Sequence, residues 1–417
     1  MSDSPSRLGL VALLTASTVS SMGSRVSVVA IPWLVLVTTG SPADMGLVVG
    51  ATMIPYLAAS VFGTPLADRL GLRATAITAD TVSTITTAVI AASPRIGLPT
   101  ILAMVAISGM IRGVGDRTKH VLLRPAAETA GVPIARVTAI YDGLDNGATL
   151  VGMPVGGLLI FWFGAQGAVW VDSVSYAASA LIFATLVTAG SEPKQESKPA
   201  EPYLRALRAG ARQLGSDRLL LSMLAMVFFA NMVNQATTTV FIPLWVSDVL
   251  HSPAALGTIL GAFAAGAVVG NLVFTALAVK LTRYVVFAVC LAISGAPRLF
   301  VLGSSHNLGV VLAVTFLCGL AMSAVNPILG ATLYGRVPSD LQTRVFGLVA
   351  AVAYAGFPVG GLLAGWSVSG FGLTAPILVG GVVYLAATLL PLLRYRGMSL
   401  VPAEVREEEM TEGPAKP

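Results

Sequence analysis

Twelve apolar stretches of about 20 residues or more divide this chain, and they leave few folds open. They run roughly over 8–37, 43–66, 74–93, 98–122, 136–162, 166–189, 218–248, 254–279, 284–303, 307–334, 344–368 and 373–393. Each is long enough to cross a hydrocarbon core about 30 Å thick. Inside lipid every backbone N–H and C=O must bond within the protein, so stretches of this length read as transmembrane helices. Composition agrees: only 11% of residues are charged, against roughly 25% in soluble domains. The mean hydropathy is +0.83. The 43 glycines suit helices that pack closely in a membrane. Prolines interrupt several spans, as in Ile31-Pro32-Trp33 and Ile54-Pro55-Tyr56, and neighbouring helices must satisfy the freed carbonyls.

The first stretch is too long for the apolar core of a cleavable signal and reads as a span. Cys290 and Cys318 both lie in apolar runs and make no disulfide framework. The net charge of +5 raises nucleic acid as a partner, but no basic stripe survives outside the loops, so none is expected. The lipid bilayer is the implied partner.

The lysines and arginines give an orientation. With the N-terminus inside, Arg69, Arg73, Arg117, Lys119, Arg124, Arg136, Lys280, Arg283, Arg336 and Arg344 fall in cytoplasmic loops or at helix ends. Arg7, the basic residues of the central linker, Arg394 and Arg396 join them, and Arg95 stands alone outside. Such a bias predicts that both termini are cytoplasmic.

The chain also repeats itself. Gly152-Met153-Pro154-Val155-Gly156-Gly157-Leu158-Leu159 recurs as Gly356-Phe357-Pro358-Val359-Gly360-Gly361-Leu362-Leu363. Arg136-Val137 is echoed by Arg344-Val345, Phe163-Gly164 by Phe371-Gly372, and Tyr176 by Tyr384. Spans five and six therefore match spans eleven and twelve in the same orientation. The organisation follows: an N-terminal six-helix bundle over 1–190, a linker over 191–217, a C-terminal six-helix bundle over 218–396 and a tail over 397–417. Within the linker, Leu204, Leu207, Ala211 and Leu214 lie near one face, with Arg205, Arg208 and Arg212 elsewhere. That pattern reads either as an amphipathic helix on the cytoplasmic membrane surface or as a plain helical connector. The tail, with Glu407-Glu408-Glu409, has the composition of a disordered segment.

Two parallel halves of six spans joined by a polar linker resemble the major facilitator superfamily. The resemblance implies an all-α membrane fold, twelve helices in two pseudo-twofold-related six-helix bundles around a midplane site. Thr64-Pro65-Leu66-Ala67-Asp68-Arg69-Leu70-Gly71-Leu72-Arg73 resembles the superfamily's Gly-x-x-x-Asp-Arg-x-Gly-Arg-Arg loop, with Thr64 and Leu72 departing from it. The resemblance implies a cytoplasmic gate of Asp68, Arg69, Gly71 and Arg73. Asp68 would bind the amides at the start of span eleven, near Phe346 and Gly347. A solvated tight turn is the other reading. Arg112-Gly113-Val114-Gly115 is similar to a membrane-buried Arg-x-x-x-Gly segment, with shorter glycine spacing. Gly152, Pro154, Gly156 and Gly157 resemble the Gly-Pro-x-x-Gly-Gly signature of antiporters, with one residue inserted. Gly356, Pro358, Gly360 and Gly361 repeat it, so close packing alone would explain both copies. Ala30-Ile31-Pro32-Trp33-Leu34-Val35, Val171-Asp172-Ser173-Val174-Ser175-Tyr176 and the stretch Arg205–Leu219 resemble bacterial drug, macrolide and siderophore exporters. That subgroup implies a multi-pass protein of the bacterial inner membrane, a functional monomer that moves a small-molecule substrate against protons. It implies no cofactor and no metal.

Charges inside a bilayer cost at least about 2.5 kcal/mol each on insertion scales, so they are functional candidates. Arg25, Arg112, Asp142 and Asp145 are the proton-coupling candidates. Asp142 and Asp145 are three residues apart and share a helical face with Asn146. An Arg25–Asp145 or Arg25–Asp142 pair would open when the aspartate takes a proton; a permanent clamp between helices is equally consistent with the sequence. Asp80 and Asp172 are expected to support the fold away from the cavity. In the C-terminal half, Asn231, Asn234, Gln235 and Thr238 form one stripe, with Ser323 and Asn326 on span ten. These, with Phe241, Trp245, Tyr141 and Asn146, are the candidate substrate wall. Helix-to-helix hydrogen bonding is the alternative role for the amides. Arg298 is expected to anchor at the interface or bind a neighbouring carbonyl.

Proton-coupled export of an amphipathic small molecule by alternating access is the leading reading. Uptake or facilitated diffusion of a small polar or anionic metabolite is the alternative within transport. A membrane-embedded enzyme or signalling protein finds no support: there is no Gly-x-x-x-x-Gly-Lys-Ser/Thr loop and no His-Glu-x-x-His. His120, His251 and His306 are far apart in sequence.

Overall fold

The computed structural model describes residues 5–63, 70–93, 97–187, 211–212, 214–277, 284–338 and 341–395. Asp68, Arg69, Arg95, Lys280, Arg283, most of the linker and everything from Arg396 onward lie outside the described residues, as do the side chains of Arg344 and Arg394. The first three helices are α1 Pro5–Thr39, α2 Pro42–Phe62 and α3 Leu72–Ala92. Then come α4 Leu98–Ala130 and the run Ile134–Thr185. The second half supplies α7 Arg218–Leu250, α8 Ala254–Leu277, α9 Tyr284–Ser304, α10 Leu308–Arg336, α11 Gln342–Phe371 and α12 Thr374–Tyr395.

The run Ile134–Thr185 has 52 residues. As one helix it would be about 78 Å long at 1.5 Å per residue, far beyond a bilayer. Gly164 breaks it, with φ 72° and ψ 171°, a conformation open to glycine alone. We call the parts α5 (134–163) and α6 (165–185). They lie side by side, because both meet residues 21–27 of α1. Asp145 accepts from Ser21 and Gly152 touches Arg25, while Asp172 accepts from Ser27 and Tyr176 donates to Ser24. The twelve expected spans are therefore all present.

The repeat seen in sequence is also a repeat of environment. Gly372 mirrors Gly164 with φ 74°, and the phenylalanines before them, Phe163 and Phe371, both project from the surface. Val137 and Val345 are both buried, as are Tyr176 and Tyr384. A Cβ on Gly152 would strike Arg25 and Met22 of α1, and one on Gly356 would strike Phe228 and Met232 of α7. Each motif thus packs its leading glycine on the first helix of its own half. The last glycines reach further: Gly157 lies against Gly257 of α8, and Gly361 against Val49 of α2. Only the absence of a side chain permits backbones this close.

Two further departures from regular helix have visible causes. α7 passes through π-helical turns at Thr237–Phe241 and Val246–Leu250. Pro243 lies between them, where a proline ring would clash with the carbonyl four residues back in a regular helix. α10 is interrupted between Met322 and Val325, so it enters as two shorter pieces.

The helices gather into two compact units. One comprises Met1–Glu196, Gln235–Gly261 and Phe357–Pro376; the other comprises Ser197–Asn234, Ala262–Gly356 and Ile377–Pro417. In the first, an apolar core forms where Leu10, Leu13 and Ala16 of α1 meet Leu123 and Ala127 of α4, Val137 of α5 and Phe183 of α6. Outward-facing apolar side chains such as Phe62, Trp162, Leu181 and Trp366 remain uncovered, as lipid contact requires.

Candidate functional site

Charge in the first unit is concentrated along α4. Arg112, Asp116 and Lys119 recur at helical spacing, so they form one stripe facing the neighbouring spans. Arg112 lies over the rings of Tyr56 and Tyr176, 5.9 and 5.7 Å from their centroids. Tyr56 donates to Asp116 at 3.2 Å. A cavity of about 50 Å³ opens beside this group, lined by Arg112, Asp172, Tyr176, Ser27, Gln235 and Thr239 among others. It has room for a few waters and no more. Asp172 was expected away from any cavity; instead it lines this one, because α6 turns its face of Asp172 and Tyr176 toward α1 and α4.

Lys119 corrects a second expectation. It was assigned to a cytoplasmic loop or helix end, but α4 continues as helix to Ala130 and Lys119 is 2% exposed. Its ammonium donates to Asp80 at 2.7 Å and to Ser20 at 2.9 Å, and Asp80 accepts a further bond from Ser179 at 2.6 Å. This set ties α1, α3, α4 and α6 together, with each charge partnered. Asp80 therefore has the supporting role the sequence suggested.

Nearer the surface, Arg25 pairs with Asp145 at 3.2 Å, with the two side chains 32% and 43% exposed. Ser21 donates to the other carboxylate oxygen. Asp142 and Asn146 are exposed and Tyr141 is half-buried, its ring edge against His120. Of the gate residues, Gly71 caps the start of α3 with φ 84°, and Arg73 donates to the carbonyls of Phe183 and Ala184 at the end of α6. Asp68 and Arg69 lie outside the described residues.

The second unit holds a cavity of about 420 Å³, large enough for a small organic molecule. Asn231, Asn234 and Asn326 line it as the stripe predicts, with Phe263, Phe346 and Tyr334 adding aromatic surface. Asn231 donates to the carbonyl of Ala353 at 3.0 Å, so one of the amides also links α7 to α11. Gln235 faces the smaller cavity of the first unit, while Thr238, Phe241 and Trp245 are packed there, buried. Of the two roles expected for Arg298, the structure shows the second: it binds a neighbouring carbonyl, that of the Asn234 side chain. It is 3% exposed, donates to the Asn234 side-chain oxygen at 2.7 Å and stands 5.1 Å from the centre of the Phe263 ring.

The sequence profile of the Major Facilitator Superfamily matches residues 13–251 and 224–417. The chain belongs to the major facilitator superfamily. It thus has the fold of that family, twelve membrane spans in two six-helix bundles, and is a multi-pass membrane transporter. Multidrug efflux pump Tap of Mycobacterium tuberculosis is 28% identical over 407 residues, covering 92% of this chain and 93% of the pump. The pump of the same name from Mycolicibacterium fortuitum is 25% identical over 401 residues, covering 92% and 96%. Among solved structures, the nucleoside transporter NupG aligns with a TM-score of 0.73 at 12% identity over 94% of this chain and all of that one. A bacterial homologue of the human lysosomal transporter Spinster, inward-facing and occupied, gives 0.73 at 14% identity over 95% and 98%. At such identities the structures speak for the facilitator fold alone.

Sequence reasoning missed Asp116, Tyr56, Lys119 and the place of Arg298. For the three charges on α4 the signal was present: 112, 116 and 119 have the spacing of one helical face. For Lys119 it was overridden by assigning bases near the inner end of the apolar window to the cytoplasmic side.

Proposed function

We propose that this facilitator exports amphipathic small molecules from the bacterial cytoplasm by alternating access, in exchange for protons. The bundles over 1–190 and 218–396 act as the two moving bodies, joined by 191–217, in a functional monomer of the inner membrane with both termini cytoplasmic. The relatives' function as multidrug efflux pumps supports export. The Arg25–Asp145 pair is the observation that carries the coupling.

The pair joins α1 to α5 and is only partly enclosed by protein, with the Asp145 side chain 43% exposed. A carboxylate beside a permanent cation holds its charge; a proton on Asp145 removes the attraction and frees the two helices. Substrate and proton then compete for one closed arrangement. Asp142, one turn away and exposed, offers a second acid on the entry path. Arg112 keeps its counter-charge in Asp116 and Asp172 throughout, so it positions the helices while the outer pair opens. Asp68, Arg69, Gly71 and Arg73 form the cytoplasmic gate. Gln235 and Thr239 on α7 reach the Arg112 cavity and give the second half a contact with the charged region.

The test is transport in everted vesicles with an imposed inside-acid gradient. Wild-type chain accumulates a drug such as tetracycline, and collapse of the gradient stops it. Asp145→Asn abolishes gradient-driven accumulation while substrate still binds. Accumulation that is indifferent to the gradient would point to a facilitator and end the coupling claim.

A further inference from the structure

Among the described residues no acid pairs with the buried cation of the second unit. Between residues 218 and 395 the sequence contains two carboxylates, Asp248 at the end of one apolar stretch and Asp340 between two others. Asp217, just before α7, is engaged by Arg336 at 2.7 Å. Arg298 meets only a neutral amide oxygen and an aromatic face, and its Nε has no hydrogen-bond partner. An arginine keeps its charge whatever its surroundings, so desolvation here is not relieved by losing a proton. Both groups that touch the guanidinium, Asn234 and Phe263, line the 420 Å³ cavity.

The Asn234 amide is oriented by this contact. Its oxygen accepts from Arg298, which leaves its NH2 as the end available to the cavity, with the positive charge directly behind. The nearby hydroxyls of Ser294 and Tyr384, which share a hydrogen bond at 3.0 Å, line the same wall. The remaining wall is largely apolar, including Val227, Leu291, Met322 and Phe346. We propose that this cavity binds an amphipathic organic anion, a carboxylate carried on an apolar body, with Asn234 as the first donor and Arg298 as the counter-charge. Rotation of the Asn234 side chain would bring Nε and the rest of the guanidinium fork to the carboxylate. The proposal rests on the cavity being the transport site, and it narrows the substrate class to molecules that carry an acid.

Equilibrium binding to the full chain in nanodiscs tests it without any gradient, so it stands or falls separately from the coupling claim. The probes are 1-pyrenebutyrate and its primary amide, matched in size and aromatic surface. Wild type is expected to prefer the acid by about tenfold or more, the range of a charge-assisted hydrogen bond. Arg298→Gln should erase that preference and leave amide binding in place, Arg298→Lys should restore part of it, and Asp145→Asn should not alter it. Equal affinity of the two probes in wild type overturns the proposal without reference to any variant. Preference surviving in Arg298→Gln does the same. Replacing gluconate by chloride separates sources of the anion: if chloride abolishes the preference, the site serves inorganic anions and the organic acid is not its ligand.

Discussion

The two halves share a scaffold but treat buried charge in opposite ways. In the first half each deep cation has an acid: Lys119 has Asp80, and Arg112 has Asp116 and Asp172 in its electrostatic range. In the second, Arg298 has an amide and a ring. The repeat-related tyrosines Tyr176 and Tyr384 each bond a serine, but from helices that are not equivalent, Ser24 on α1 and Ser294 on α9. Duplication supplies the same helices, and the side chains then divide the work. On the reading proposed above, the half with internal pairs exchanges the proton, and the half with the unanswered cation and the larger cavity takes the ligand.

The largest expected effect tests that contrast directly. Lys119→Met leaves Asp80 buried beside two serines with no cation, and breaking such a pair costs about 3–5 kcal/mol. Arg298→Met removes a charge that has no acid partner, so it should cost far less or raise stability. Thermal unfolding of the purified chain in detergent reads both. The double variant Lys119→Met/Asp80→Leu should recover most of the loss, because the uncompensated charge is gone. Equal losses for Lys119→Met and Arg298→Met would erase the distinction between the halves.

A smaller effect tests what the halves have in common. A Cβ on Gly257 would meet the carbonyl oxygen of Pro154 at 2.7 Å and the nitrogen of Leu158 at 3.0 Å, both backbone atoms that cannot step aside. On Gly361 it would meet Val49 Cγ1 at 2.5 Å, which can turn, and Val49 Cβ at 2.7 Å, which is fixed to the backbone. Overpacking costs about 1–3 kcal/mol, so Gly257→Ala and Gly361→Ala should both fall in that range. Gly370→Ala, with nothing within 4 Å, should be close to neutral. If the three unfold alike, the glycine contacts are not setting the helix spacing.

Much of this was legible in the sequence, for reasons that can be named. Span count and repeat follow from hydropathy and from residues such as Gly164 and Gly372, where only glycine allows the turn. The Arg25–Asp145 pair was legible because both charges interrupt apolar runs, and charges there need partners. Choosing Asp145 over Asp142 was not, since both share a face and only the packing of α1 on α5 decides which reaches Arg25. Lys119 was misread because the orientation rule assigns bases near the inner end of a span to the cytoplasmic side, while the helix runs on to Ala130 and buries it. Arg298 was half legible: the shortage of acids in the second half is a sequence fact, but its contact with Asn234 depends on how α9 meets α7.

The smallest expected effect on stability belongs to the residue expected to matter most for coupling. Exposed ion pairs contribute about 0–1 kcal/mol, and Arg25 and Asp145 are a third and more exposed. Asp145→Asn should therefore shift unfolding by less than about 1 kcal/mol while it stops gradient-driven transport. That disproportion is what a switch requires. A pair as tight as Lys119–Asp80, held at 2.7 Å with both side chains 3% exposed and two serines attached, resists separation on each transport cycle. The Arg25–Asp145 pair has one serine and is far less enclosed, so on the proposed reading one proton is enough to part it. Should Asp145→Asn instead destabilise the chain as much as Lys119→Met does, the outer pair is a clamp like the inner one. The proton would then have to act at Asp172, inside the Arg112 cavity.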